Sequence, residues 1–377
     1  MKLVVAIPFF YPQRGGTENY ALQICKRLVN KHKYEITVIT STDQKKAYTK
    51  EVAGMTTHYL PYWLKISNTP INPLWFWKIW QIVSQEKPDR IIGHTPVPFI
   101  ADVAAVIAYL QRIPFYLTYQ NDMIKDQALL NLIIAVYYEL VGRITFSISR
   151  KIIVSSAYYA KQSPYLRTTK TSTAVIPPGV DVSKFKPASV TKKNMQFNVL
   201  FVGNMDLTHS HKGLSVLLEA VAQAKETISS IRLTAIGKGD GIKAYKLQAK
   251  ELGILEKVCF TGYVPDEDLP RYFQETDVLV LPSVTSAEGF GMVLIEAGAC
   301  GKPVIGARSG GIRHVVLDGK TGILVPPKQP KSLKEALVYL NQNPQKAEKM
   351  GRNGLAHVLA NYTWEEQVAK THDTLRN

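Results

Sequence analysis

Residues 288–296, EGFGMVLIE, hold two glutamates with seven residues between them, the first at a Gly-Phe-Gly turn and the second inside an apolar run that reads as a helix. That setting suits a ligand rich in hydroxyls and phosphate. Glycines let a ligand approach the backbone closely, and the free N–H groups at a helix N-terminus attract phosphate. Glu288 is then placed to accept hydrogen bonds from sugar hydroxyls and Glu296 from a ribose diol, as a sugar nucleotide would require. A surface turn before a core helix explains the same nine residues equally well, since Met292, Val293 and Leu294 are ordinary core side chains.

Two further clusters offer phosphate chemistry. The first apolar run of the chain leads into Pro-Gln-Arg-Gly-Gly, residues 12–16, and then a helical pattern. Strand, glycine turn and helix make the geometry in which backbone N–H groups bind a diphosphate, although Gly15-Gly16 is not the full dinucleotide fingerprint and also fits a tight turn. In the second half Phe201-Val-Gly-Asn-Met precedes His-Lys-Gly at 211–213. Lys212, just ahead of a helix, would set a cation against the charge that develops on a leaving diphosphate. His209 and His211 lack a nearby carboxylate or cysteine partner, so no metal site is expected there. Gly237-Lys-Gly-Asp-Gly lacks the spacing of a nucleotide loop and reads as a turn. Asp266-Glu-Asp268 resembles a metal-holding aspartate pair, but after Pro265 it reads as a helix start.

These residues need elements to hold them. Short apolar runs alternate with helical patterns along the whole chain, which predicts βαβ units and parallel sheets. In the first half strands are expected at Leu3–Phe9, Glu35–Thr40, Arg90–Gly93, Pro114–Thr118 and Lys151–Ser155, with helices near 17–31, 97–111 and 127–147. The second half restarts at Asn198–Gly203, continues with a helix near 213–227, and has strands near 231–236, 258–261, 278–281, 303–305 and 322–325. Prolines, small residues and lysines interrupt the periodicity at 175–194. The expected domains are therefore 1–188 and 189–362, with a C-terminal helix at about 363–377 that packs back on the first domain.

The 377 residues suffice for two full cores. Charge is the unusual global feature: the net charge is +16, with 23 basic and 11 acidic residues in 1–188 against 23 and 19 in 189–377. A strongly basic first half points to a polyanion or an anionic membrane surface. Nucleic acid is not the expected partner, because no recognised binding motif accompanies the charge. Three scattered cysteines, Cys25, Cys259 and Cys300, favour a reducing compartment. The opening MKLVVAIPFFYP reads as a buried strand rather than a signal peptide, and the greasy stretch 128–148, broken by Asn131, Glu139 and Arg143, as a buried helix rather than a span. A cytoplasmic protein, peripheral on the inner face of the cell membrane, is the expectation.

Six ordered motifs resemble one family over nearly the whole chain: PFFYPQRGGTENYALQICKRL, VIPPGVDVSKFKP, FVGNMDLTHSHKGLSVLLEA, FTGYVPDEDLPRYF, EGFGMVLIEAGACGKPVIG and SGGIRHVVLDGKTGILVPP. They are similar to the retaining family 4, or group 1, glycosyltransferases. The resemblance implies the GT-B fold, two Rossmann-like doubly wound domains facing across an interdomain cleft. It implies a nucleotide-sugar co-substrate, UDP- or GDP-linked, with no other cofactor and no metal, and a glycan or lipid-linked acceptor on the N-terminal domain.

The resemblance also implies roles. Gly15 and Gly16 would approach the donor diphosphate and Lys212 would pair with it. Glu288 would lie near the donor sugar and Glu296 on the ribose. Gly289, Phe290, Gly291, Met292 and Val293 would line the sugar and phosphates with backbone groups, and Tyr263 and Val264 would flank the base. Transfer would retain configuration by same-face attack, the departing phosphate taking the acceptor proton. The chain departs from the family pattern in three places. Asn204 stands where an arginine is common, leaving His209 or Lys238 to replace that cation. Gln120 stands in LTYQND where a histidine is common, and glutamine takes no proton near neutral pH. His314 occupies a position often held by glutamate. Either this branch manages without the histidine, or His94 contributes, or the protein binds sugar nucleotides while transferring them weakly. The residues 59–83, with four of the five tryptophans among lysines, suit a membrane interface and a lipid-linked acceptor, or else form groove wall and core.

Overall fold

A computed structural model describes residues 1–13, 15–66, 68–123, 128–188, 196–286 and 288–376. It divides into two units, Met1–Pro178 with Trp364–Asn377, and Gly179–Thr363. The strands of the first unit are β1 (Lys2–Ala6), β2 (Glu35–Thr42), β3 (Tyr48–Val52), β4 (Met55–Pro61), β5 (Leu64–Ile66), β6 (Thr69–Ile71), β7 (Arg90–Thr95), β8 (Phe115–Tyr119), β9 (Lys151–Val154) and β10 (Thr173–Val175). Eight of them form one sheet in the order β10-β9-β8-β7-β1-β2-β4-β3, parallel except where β3 runs back along β4. β5 and β6 pair as a separate hairpin. Strands such as Phe115–Tyr119 are buried at every position, as a sheet covered on both faces requires.

The covering helices are α1 (Gly16–His32), α2 (Trp75–Glu86), α3 (Ile100–Leu110), α4 (Ala128–Tyr137), α5 (Arg143–Ile148) and α6 (Ala157–Gln162), with a π-turn at Tyr138–Gly142 joining α4 to α5. One core gathers Trp75, Ile79 and Val83 of α2, the alanine face of α3, and Tyr138 and Phe146 of the α4–α5 run. The greasy stretch differs from its expectation as a buried helix. From Leu129 to Ile148 it is only 22% buried, because Tyr138 and Phe146 reach the core and polar groups, described below, bond α3, while one apolar stripe faces outward. The 59–83 segment is split: Tyr59, Leu60 and Trp75 are core, whereas Trp63, Leu64, Ile66 and Trp77 are more than half exposed.

The second unit repeats the plan. β11 (Phe197–Val202), β12 (Ile231–Ile236), β13 (Val258–Gly262), β14 (Val278–Leu281), β15 (Val304–Ala307) and β16 (Gly322–Val325) form an all-parallel sheet in the order β13-β12-β11-β14-β15-β16. This is the doubly wound order whose direction reverses beside the first strand. Its helices are α7 (Leu214–Ala224), α8 (Ile242–Glu251), α9 (Leu269–Glu275), α10 (Met292–Ala299), α11 (Ile312–Val315), α12 (Pro330–Gln342) and α13 (Pro344–Asn361). The last helix, α14 (Trp364–Arg376), belongs to the first unit. Its Trp364 is buried beside Tyr20, Glu365 reaches Arg27 at 3.6 Å, and the Arg90 side chain donates to the carbonyl of Leu375 at 3.2 Å.

The division falls between 178 and 179, ten residues before the sequence-based boundary at 188. The intervening segment packs on the second unit: the Val180 N–H donates to the Tyr362 carbonyl at 2.7 Å, Phe185 meets Phe273 edge-on at 5.4 Å, and Gln274 donates to the Lys186 carbonyl. The low apolar content of 175–194 marked a loop without showing which core its few large residues join. Of that stretch, 189–194 lies outside the described residues.

Candidate active site

In an open α/β sheet a ligand sits beyond the carboxyl ends of the strands where the order reverses. In the second unit that point lies between β11 and β14, and the loops leaving these two strands carry Lys212 and Glu288. The β14 loop is tied to the β11 loop by the Val284 N–H, which donates to the His211 carbonyl at 2.7 Å. The Lys212 Nζ then reaches Glu288 Oε2 at 2.8 Å, with only 22% and 12% of the two side chains exposed.

Burial by itself would raise the Glu288 pKa. The Lys212 charge and hydrogen bond, the charge of His211 and the Gly291 N–H together overcome it and hold the group below its ordinary value, so Glu288 is a carboxylate near neutral pH. Backbone packing fixes both loops. A Cβ on Gly203 would meet the Lys212 stem at 2.8 Å, and one on Gly311 would meet the Gly289 carbonyl oxygen at 2.2 Å. Gly291 stands at the N-cap of α10 with φ 83°, in the left-handed region that favours glycine. The N-cap glycine supplies no capping side chain, and the Glu288 carboxylate takes the Gly291 N–H, so an acid already sits at a helix start that attracts anions.

Glu296 lies one turn into α10 and is partly exposed. Burial pushes its pKa up to about 7, Lys184 pulling it down and Asp266 reinforcing the rise. Both charged neighbours escape sequence reasoning. Lys184 comes from the linker, and Asp266 belongs to the triplet read as a helix start. The N-cap of α9 is Asp268, which makes no side-chain capping bond. Phe290 turns its ring into the core against Tyr362, leaving only its backbone at the loop surface, while Met292 and Val293 are partly buried. Asn204 is exposed, as is Tyr263, and Val264 packs on the core. Gly237, read as part of a turn, is a buttress: its Cβ would lie 1.9 Å from the Gly203 carbonyl oxygen.

The first unit presents the carboxyl ends of β1, β7, β8 and β9. Gly15 caps α1 in extended conformation, and a Cβ on Gly16 would meet nothing within 4 Å. Glu18, which the sequence reading passed over, folds its carboxylate onto Gly15, and burial raises its pKa. An acid thus already sits at the α1 N-terminus expected to approach a diphosphate. Gln120 follows β8 with 8% exposure; its backbone carbonyl accepts from the Ser155 hydroxyl at 2.7 Å, and its Nε2 has no hydrogen-bond partner among the described residues. The hydroxyl of Ser156, 3% exposed and at the N-cap of α6, is unpartnered too.

His94 is not at the site. The pleat turns Gly93 toward Phe115 and Ala101 and His94 to the opposite face, beneath α1, where it shares a small void with Tyr20, Cys25 and Thr371. There burial depresses its pKa to about 3. It is a neutral core histidine and not a proton-transfer group.

Known proteins share this architecture and sequence. Residues 182–357 match the family described as Glycosyl transferases group 1, and residues 14–184 match Glycosyltransferase Family 4. The chain is 30% identical over 360 residues to the D-rhamnosyltransferase WbpZ of Pseudomonas aeruginosa, covering 93% of this chain and 88% of that protein. It is 31% identical over 210 residues to a GDP-mannose-dependent alpha-(1-6)-phosphatidylinositol monomannoside mannosyltransferase of Mycolicibacterium smegmatis, covering 53% of this chain but only 55% of that protein. The crystal structure of Anabaena HepE in complex with UDP superposes with a TM-score of 0.80 at 20% identity over the full length of both chains, which shows the common fold. With two doubly wound units, six motifs in order and near-complete alignment to a sugar transferase, the chain belongs to the group 1, family 4 glycosyltransferases of the GT-B fold.

Proposed function

We propose that this enzyme takes a sugar from a UDP- or GDP-linked donor and passes it, with retention of configuration and without a metal ion, to a lipid-linked acceptor. The observation that carries this reading is the Lys212–Glu288 pair at the switch point, beside the N-terminus of α10. The donor diphosphate lies against the α10 N–H groups and Lys212, with Glu288 holding Lys212 in place and facing the sugar hydroxyls. Glu296 accepts from the ribose diol. Tyr263 and Val264 flank the base, and Asn204 lines the phosphate side. Gly15 and Gly16 leave backbone uncovered for a close approach.

An acceptor hydroxyl attacks the anomeric carbon on the face the diphosphate leaves. The bond from that carbon to the phosphate oxygen breaks, its electron pair stays on the oxygen, and the acceptor proton passes to the departing phosphate. Lys212 stabilises the charge that accumulates there. In this scheme the Gln120 amide donates a hydrogen bond that orients substrate and takes no proton.

The acceptor reading is supported by the first unit. The hairpin of β5 and β6 follows the carboxyl end of β4, exposes Trp63, Leu64 and Ile66, and sets Lys65 over the Phe9 ring at 5.2 Å. Apolar side chains among cations suit a lipid carrying a phosphate, which supports work at the inner face of the cell membrane. The similar mycolicibacterial protein acts on a phosphatidylinositol mannoside, as its name states.

The test begins with thermal shift against UDP- and GDP-sugars, followed by transfer from each stabilising donor to lipid-linked acceptors in EDTA. Retained product anomericity by NMR and undiminished rates in EDTA are expected. An inverted product or a strict metal requirement refutes the mechanism. Equal donor binding with transfer only in Gln120→His identifies a weakened homologue instead.

A further inference from the structure

The α4–α5 helix spends its apolar residues on solvent. Leu129, Leu132, Ile133, Val136, Leu140 and Ile144 recur at helical spacing on one stripe and are each 48–69% exposed. The run from Leu129 to Ile148 has a mean hydropathy of 1.5. On its inner side Tyr138, Thr145 and Phe146 are buried. The buried carboxylate of Asp102 in α3 holds the helix down, accepting from the Tyr137 hydroxyl at 2.8 Å and the Thr145 hydroxyl at 2.6 Å. This inverts the usual arrangement, in which the apolar stripe faces the core and the polar face meets water.

The neighbouring helices extend the same surface. α3 contacts α5, packs on α2, and exposes Tyr109 and Leu110, while α2 exposes Trp77. Large exposed apolar side chains gathered on packed neighbouring helices mark an interaction site. Cations border it. Beside the α5 end of the stripe lies a hollow of about 610 Å³, lined among the described residues by Arg143, Arg150 and Lys170 together with serine and threonine hydroxyls. The one acid on this part of the helix, Glu139, is paired with Arg143 at 2.8 Å.

We propose that this face docks on an anionic phospholipid bilayer, the α4–α5 helix lying flat with its stripe among the acyl chains and the hollow receiving lipid phosphate. The proposal rests on the lipid-linked acceptor reading and specifies the surface that brings the enzyme to its substrate. The helix lies in the plane of the membrane and does not cross it, because Tyr137 and Thr145 remain bonded to Asp102 on its protein side. The basic, hydroxyl-lined hollow favours a phosphate-bearing surface over an apolar protein partner.

The full chain is floated with vesicles of phosphatidylcholine alone and with added phosphatidylglycerol. Wild type should rise with the anionic vesicles and largely remain below with the neutral ones. Leu132→Glu with Leu140→Glu, both at exposed positions, should lower the bound fraction at least tenfold while the melting temperature and its shift by nucleotide sugar stay unchanged. Arg150→Ala with Lys170→Ala should erase most of the preference for anionic lipid. Flotation of the double glutamate variant equal to wild type overturns the proposal. So does wild type that fails to float, or a loss confined to self-association on gel filtration. Transfer to a detergent-dispersed acceptor separates the two claims: it persists in the double glutamate variant if docking alone is lost, and it is absent from wild type if the transfer reading itself is wrong.

Discussion

Replacing Lys212 by methionine removes one partner of a largely buried ion pair and leaves the Glu288 carboxylate without its main compensation. A fully buried pair broken this way costs about 3–5 kcal/mol. Here the side chains keep 22% and 12% exposure, and the Gly291 N–H still bonds the carboxylate, so a loss of about 2 kcal/mol is expected. Burial is the largest influence on Glu288 and acts to raise its pKa, so without Lys212 the carboxyl should take up a proton. The sign of the pH dependence then reverses. In wild type the depressed pKa supplies stability above the unfolded value of 4.5, lost as pH falls below it through the folded pKa. In Lys212→Met the acid side becomes the more stable one. Glu288→Gln should cost stability in wild type and recover most of the loss in the Lys212→Met background. Urea denaturation of the four proteins at pH 4 and pH 7.5 measures this cycle. In transfer assays Lys212→Met should lower kcat by about a hundred- to a thousandfold, and Glu288→Gln should add little to it, since the two act as a unit. Additive effects on both stability and kcat would refute the coupling.

Further outcomes follow from neighbouring groups. Glu296, raised to about 7, contributes stability that is present below 4.5 and lost as pH rises through 7. Glu296→Gln should therefore be more stable than wild type at pH 8 by on the order of 1–3 kcal/mol, measured by urea melts, and less so at pH 4. Nucleotide-sugar affinity in wild type should strengthen as pH rises through 7, and Glu296→Gln should lose that dependence in calorimetric titrations. Gly311→Ala sets a methyl 2.2 Å from the Gly289 carbonyl oxygen and should cost about 1–3 kcal/mol along with the thermal shift by donor. His94→Leu removes a buried ring with an unpartnered Nδ1; transfer rates should stay within about twofold and stability should not fall.

The strands of both sheets were legible because buried parallel strands are short continuous apolar runs, and Phe115–Tyr119 or Val278–Leu281 can be little else. β3, β4 and the β5–β6 hairpin were missed, since segments such as YTKEV and MTTHYLP mix polar and apolar positions without a clear period. Glu288, Lys212 and Glu296 stand out in the sequence because glycines and a helix start surround them. Their coupling was not, since 76 residues separate the ion pair. His94 misled because its residue type suggests chemistry, whereas the face it occupies follows from the pleat, which the chain alone does not orient. The α4–α5 stripe misled for the opposite reason. Its composition is that of a core helix, and only the bonds of Asp102 to Tyr137 and Thr145 show which side is inside.

The two units build their strand ends from different materials, and the difference bears on specificity. Around Lys212 and Glu288 backbone rests on backbone, Gly237 against the Gly203 carbonyl and Gly311 against that of Gly289, so that no added Cβ fits without moving a loop. Such a framework holds a fixed shape, which in the proposed scheme suits what all sugar-nucleotide donors share, a diphosphate and a sugar ring. Around Gln120 the contacts come from side chains, and two polar atoms, Gln120 Nε2 and Ser156 Oγ, have no hydrogen-bond partner among the described residues. A buried unpaired donor is costly, and exchanging a side chain there alters hydrogen bonding without displacing the backbone. Discrimination between acceptors is therefore cheapest to adjust at the ends of β8 and β9. Replacements of Gln120 and Ser156 should change which acceptor is used while leaving donor affinity as it was.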